Sequence, residues 1–220
     1  MHASKQRRSL VMGLCCAPLV AAAQAPTAPE AGVDYVVLDR PQPPLEAGVN
    51  KIEVVDFFGY WCPHCFEFVN DLEAWRKRLP SDVAYMHVPV AFNPSENPLS
   101  MTFYALQSLG RLDDMHMKVF KAIHIDRKKL FDTNDIADFV AANGIDRDKW
   151  LSVYNSFSIA SAVNRANQVW QNYRIDGTPT LACDGRFLTS PSIARKKGNA
   201  AALAVMDYLL ERVRSERKKR

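Results

Sequence analysis

The chain has 220 residues, 48% of them hydrophobic and 24% charged, with 9 Gly and 13 Pro. That composition suits one globular domain with a sizeable core and excludes collagen-like, low-complexity and largely disordered chains. Five Cys are too few for a disulfide-dense mini-scaffold. The net charge of +4 belongs to the ends, since residues 26–210 hold 19 Lys and Arg against 22 Asp and Glu, so no nucleic-acid site is expected.

At the N-terminus, Lys5, Arg7 and Arg8 precede an apolar run at 9–23 and the triplet Ala23-Gln24-Ala25. This is the order of a secretory signal with an A-x-A cleavage site, cut most simply after Ala25. The competing reading is a membrane anchor, but the run is short for a span and Pro18 interrupts it. Lipidation at Cys15 or Cys16 is disfavoured by the residues in front of them. An exported chain meets oxidising conditions.

Residues 26–50, rich in Pro and Ala, predict an extended lead-in with one short edge strand at 35–38. Residues 51–60, KIEVVDFFGY, are almost continuously apolar, the pattern of a buried strand. Pro63 suits a first helical position, and Cys65, Phe68, Val69, Leu72, Trp75 and Leu79 recur at helical spacing until Pro80 stops the helix. Residues 82–92 predict a second strand, parallel to the first if the helix is a right-handed crossover. Helical patterns then follow at 97–109, 112–125, 133–143, 146–155 and 157–171. Strand signals return at 180–183 and 186–188 around the turn pair Asp184-Gly185, and a last helix is expected at about 195–217. The order is β-α-β, a helical insertion, then β-β-α: an α/β sandwich with a helical cap.

The chemistry concentrates at Cys62-Pro63-His64-Cys65, where a buried strand turns into a helix. Free backbone N–H groups and the helix dipole favour a thiolate at Cys62. Cys65, three residues on, lies on the same turn and can reach it. His64 can add a positive charge or a donor near Cys62. A stabilised Cys62 thiolate is a good leaving group, which makes a Cys62-Cys65 disulfide easy to attack and oxidising. Two other readings compete. A zinc site needs further ligands, yet there is no second C-x-x-C, and His87, His116 and His124 are scattered. A purely structural disulfide would usually close a longer loop. Asp56, six residues before Cys62 in an otherwise apolar strand, is an acid that burial would penalise unless it has a task.

The run VVDFFGYWCPHCFEF resembles the active-site strand and helix of the DsbA family of periplasmic thiol:disulfide oxidoreductases, and Pro63-His64 is that family's characteristic central pair. The family is itself the standard example of a depressed cysteine pKa and an oxidising couple. The similarity covers most of residues 33–215 and implies a thioredoxin-like α/β fold with an inserted all-helical domain. The boundaries expected are a signal at 1–25, the thioredoxin-like part at 26–96 and 172–220, and the helical domain at 97–171. Gly177-Thr178-Pro179-Thr180 matches the family's second motif. The resemblance makes Pro179 the cis-proline beside the cysteines and gives Thr178 a substrate-contacting backbone; an ordinary turn proline is the other reading. It also implies that Asp56 moves protons for Cys65; a partly solvated strand-end carboxylate is the other reading. In some family members acids on the active-site helix pair with a lysine on the next strand; here Val69 and Tyr85 stand at those places, so that charge network is expected to be missing. Cys183 is read as a small buried hydrophobe, with a reactive or miswired thiol as the other reading, and His87, Phe57, Phe58, Tyr60 and Trp61 as core or groove wall, Tyr60 and Trp61 also being candidates to shape the substrate face.

The function expected is a periplasmic dithiol oxidase, with Cys62, Cys65, His64, Pro63 and Asp56 catalytic and Thr178 and Pro179 binding substrate. Its clients would be unfolded exported proteins with free cysteines, and a DsbB-type membrane quinone reductase would reoxidise it. It would act as a monomer, without metal or organic cofactor, since no G-x-G-x-x-G or P-loop is present. The alternatives are an isomerase or reductase of the same fold, for which family members usually carry a separate dimerisation domain, and a peptide-binding chaperone.

Overall fold

The computed structural model describes residues 27–45 and 51–219, and the expected signal segment at 1–25 lies outside them. Strands β1 (Val36–Val37), β2 (Ile52–Phe58), β3 (Val83–Pro89), β4 (Thr180–Cys183) and β5 (Phe187–Thr189) form one sheet in the order β1-β5-β4-β2-β3. Helix α1 (Pro63–Arg76) connects β2 to β3, and these two strands are parallel. Five helices follow before β4: α2 (Asn97–Ser108), α3 (Leu112–His124), α4 (Thr133–Ala142), α5 (Arg147–Tyr154) and α6 (Phe157–Asn172). Helix α7 (Asn199–Lys218) ends the fold.

All seven residues of β2 are buried, because helices cover both faces of the sheet. Side chains alternate along a strand. Ile52 and Val54 therefore meet Phe68, Leu72 and Trp75 of α1 and Leu209 of α7, while Val55 and Phe57 meet Ala166 of α6 and Tyr173 on the other face. Asp56 shares the first face with Val54 and Phe58. It is thus directed beneath α1 by the same alternation that buries its neighbours.

A separate core joins the helical block to the end of β2. Phe58, Tyr60, Cys62, Cys65 and Val69 pack with Phe103, Met115, Val119 and Phe120. Both cysteines of the motif are therefore shared between the sheet and the helical block.

The last helix starts later than its sequence pattern predicts, at Asn199 rather than near 195. Lys197 (φ 53°) and Gly198 (φ 90°) take left-handed backbone conformations, which an α-helix cannot contain. The basic C-terminal residues are used within the fold. Arg214 grips Asp82 through two hydrogen bonds of 2.6 and 2.9 Å, Arg217 pairs with Asp184, and Arg212 pairs with Glu216.

Leu209 is fully buried where α7 crosses the sheet, so Leu209→Ala should cost about 2–5 kcal/mol. The check is urea unfolding: a fall in the midpoint with an unchanged slope, and retained thiol chemistry in the folded fraction.

Candidate active site

The site begins where β2 ends. Gly59 is required there by close approach, since a Cβ would lie 2.5 Å from the indole nitrogen of Trp61. That indole donates to the carbonyl of Val90 at 3.0 Å, tying the loop to the strand beside it. On its other side the carbonyl of Tyr60 accepts from His124 Nε2 at 2.8 Å, and the His124 ring stacks on Phe66 with centroids 5.2 Å apart. The Tyr60 hydroxyl meets His116 Nδ1 at 2.8 Å. The loop before Cys62 is thus held by both the sheet and α3.

Cys62 is the N-cap of α1, in extended conformation, and its sulfur accepts from the backbone N–H of Cys65 at 3.4 Å. Pro63 occupies the first helical position, and the first turn contains no acid to oppose a negative charge. Across the sulfur lies the carbonyl of Thr178, 3.3 Å away, and the Thr178-Pro179 peptide is cis. The Thr178 hydroxyl is buried and favours the thiolate form of the sulfur.

These contacts lower the Cys62 pKa to about 6: the Cys65 thiol donates to it, the Thr178 hydroxyl and the N–H groups of Cys65 and His64 add to that, and burial opposes them. Cys65 moves the other way. Burial holds its thiol well above the usual range, and the adjacent Cys62 and Asp56 charges add to the effect. The pair is therefore asymmetric, with one stable thiolate and one thiol that keeps its proton.

The His64 side chain points outward, to Glu67 at 3.1 Å, and both side chains are largely exposed. Glu67 raises its pKa by that hydrogen bond and its charge, with a smaller contribution from Cys62. His64 reaches Cys62 chiefly through its backbone N–H rather than through a ring contact.

Asp56 is 2% exposed. It lines a cavity of about 10 Å³ together with Cys65, His116, Phe120 and Pro179, room for one water at most. The parallel register sets Asp56 beside His87 of β3, and their side chains meet at 2.9 Å between Oδ2 and Nδ1. His87 Nε2 in turn faces Glu73 of α1 at 3.7 Å, and Arg76 holds Glu73 through two hydrogen bonds. The charge network expected to be missing is therefore present in another form. Asp56, His87, Glu73 and Arg76 build it, and Tyr85 lies among them with a buried, unpartnered hydroxyl. Sequence reading missed Glu73, although it continues the Cys65, Val69 spacing on the buried side of α1. His87 packs in the core, as its pattern predicts, but its contact with Asp56 follows from strand register, which spacing along one chain does not reveal. Cys183 is fully buried and its thiol is pushed up to about 12, mainly by burial, which leaves it inert. A larger cavity of about 990 Å³ opens at the β1 edge, between residues 36–42 and 171–176, and neither cysteine of the motif lines it.

Residues 84–195 match the family model of the DSBA-like thioredoxin domain, a span that includes Pro179. The chain is 46% identical over 178 residues to a thiol:disulfide interchange protein DsbA of Bordetella parapertussis, covering 80% of this chain and 82% of that one. The chain belongs to the DsbA family. A Pseudomonas aeruginosa DsbA is 38% identical over 189 residues, covering 86% and 88% of the two chains. The crystal structure of Pseudomonas aeruginosa DsbA matches with a TM-score of 0.81 at 36% identity, over 86% of this chain and 96% of that one. DsbA from Xylella fastidiosa matches at 0.76 and 31%, over 86% and 100%. The protein is thus a thiol:disulfide oxidoreductase with the thioredoxin-like DsbA fold.

In this DsbA family member the folded Cys62 pKa lies below its unfolded value, so the dithiol form gains stability as pH rises above about 6 and loses it as pH falls through that value. At pH 7 the gain is roughly 1 kcal/mol. Ultraviolet thiolate absorbance of the reduced protein should titrate with a midpoint of about 6. Thr178→Val should raise that midpoint, and an unchanged value would remove the hydroxyl from the account.

Proposed function

We propose that this protein is a dithiol oxidase that donates a Cys62-Cys65 disulfide to newly exported proteins in the periplasm. The asymmetry of the two thiols carries the reading: Cys62 is stabilised as a thiolate and Cys65 is not. A client thiolate attacks the Cys62 sulfur, the bond to Cys65 breaks, and its electron pair stays on Cys65. Asp56, lining the same cavity, gives that sulfur a proton. A second client thiolate then attacks the client sulfur of the mixed disulfide and expels Cys62, the better leaving group. The client departs oxidised and the enzyme keeps a Cys62 thiolate and a Cys65 thiol.

Pro63 starts the helix whose N-terminus stabilises Cys62, and His64 contributes its N–H to the same turn. The cis-Pro179 edge would receive an extended client, with Thr178 offering its backbone. Cys62 is only 3% exposed, so access favours a thin, unfolded segment over a folded surface. The protein would act as a monomer and be reoxidised by a DsbB-type, quinone-linked membrane partner.

The test is the redox equilibrium against glutathione, measured on protein carrying Cys183→Ser. Easily reduced Cys62-Cys65 is the expected result. A disulfide that resists reduction would reverse the direction of electron flow and make the protein a reductase. Cys62→Ser should abolish turnover; retained client protection would instead support a chaperone.

A further inference from the structure

In the proposed mechanism Asp56 must regain the proton that it gives to Cys65, yet it is buried beside a cavity that holds at most one water. One of its oxygens, Oδ1, has no protein partner, and the other meets His87 Nδ1. The second nitrogen of the same ring faces Glu73 Oε1. Arg76 binds only the other Glu73 oxygen, Oε2, at 3.0 and 2.7 Å, which leaves Oε1 turned towards the imidazole. The Glu73 side chain is a quarter exposed, against 3% for Asp56 and 11% for His87. A single imidazole therefore spans the distance between a buried carboxyl and one in contact with solvent.

We propose that His87 carries protons between Asp56 and the solvent-facing Glu73, making it a positioning and relay residue for the acid that serves Cys65. The inference rests on the reading of Asp56 given above. When the disulfide opens, the proton moves from Asp56 to Cys65 Sγ. The Asp56 carboxylate then takes the Nδ1 proton of His87, and Nε2 takes one from the Glu73 side, where water supplies it. The transfer starts from the Nδ1–H tautomer and leaves the Nε2–H one, because the two nitrogens address different carboxylates. On reoxidation each step runs in reverse.

Other groups facing the imidazole fit this role. Tyr85 packs edge-on at 5.0 Å, its hydroxyl pKa raised by burial and by the Asp56 charge. His116 of α3 lies 5.1 Å away and is held neutral, its pKa lowered by burial and by His87. Arg76 is held by Glu73 and influenced by Asp113. Phe58 and Phe103 complete the walls. His116 instead meets the Tyr60 hydroxyl, and the Tyr85 hydroxyl keeps its proton because burial raises its pKa.

The test is single-turnover reduction of the oxidised protein by glutathione across a pH series, with the redox equilibrium measured alongside. Asp56→Asn should slow the step on the order of 10²-fold, and wild-type rates in that variant would overturn the reading of Asp56 itself. His87→Gln should slow it comparably while the equilibrium constant moves far less than the rate. Wild-type rates in His87→Gln beside a slow Asp56→Asn would overturn the relay alone. His87→Ala should regain rate with added imidazole, whereas Asp56→Asn should not; a slow His87→Ala that imidazole leaves unchanged would make the histidine a packing residue and overturn the relay. Glu73→Gln keeps an oxygen for Arg76 on a partly exposed site, so it tests the outer leg without disturbing the core. Its pH profile should shift, and an unchanged profile would overturn that leg.

Discussion

The Cys62 sulfur sits where a helix begins, with the Cys65 N–H donating to it on one side and the Thr178 hydroxyl favouring its thiolate on the other. Such a placement needs two segments more than 110 residues apart in sequence to meet at one atom. The sheet brings them together, because β2 leads into Cys62 and the antiparallel β4 begins one residue after Pro179. The helices between β3 and β4 then close over the junction, and α3 pins the connecting loop through His124 and His116. The fold is organised around keeping one sulfur in a place where negative charge is welcome.

The second thiol shows why the same neighbourhood yields opposite electrostatics. Cys65 is within one helical turn of Cys62 but is buried against Phe120 and Val69, and burial outweighs the backbone hydrogen bond from Gly59 that favours its thiolate. Burial without donors raises a thiol pKa, and burial beside donors lowers it. A disulfide joining two such sulfurs opens in a preferred direction, with Cys62 carrying charge and Cys65 carrying a proton.

That proton needs somewhere to go, which explains an acid, a histidine and a further acid under an otherwise apolar helix. A buried carboxylate is costly unless it is paired. Here the pairing with His87 is set by register between parallel strands, and the next contact comes from α1. Helix α1 thereby supports the site at both ends, through its N-terminus at Cys62 and through Glu73 and Arg76 near its last turn.

Much of this was legible along the chain. Alternating and helical periodicities located β2, α1 and the five-helix block closely, because each depends on which faces are buried. Cys62-Pro63-His64-Cys65 and Asp56 stand out because their chemistry is unusual for their local pattern, whereas Thr178-Pro179 is marked only by its resemblance to the family's second motif. Helix α7 starts after its pattern predicts because two left-handed residues, Lys197 and Gly198, interrupt a composition that reads as helical. His64 and His87 exchanged apparent importance, since proximity in sequence put one beside the cysteines while its ring turned to solvent, and tertiary packing put the other beside Asp56. Sequence by itself determined which elements form and where the reactive thiols lie, as these follow from local spacing and burial. Only the tertiary structure decided the partners of Asp56 and the donors around Cys62, because register and helix packing bring together residues that no local pattern connects.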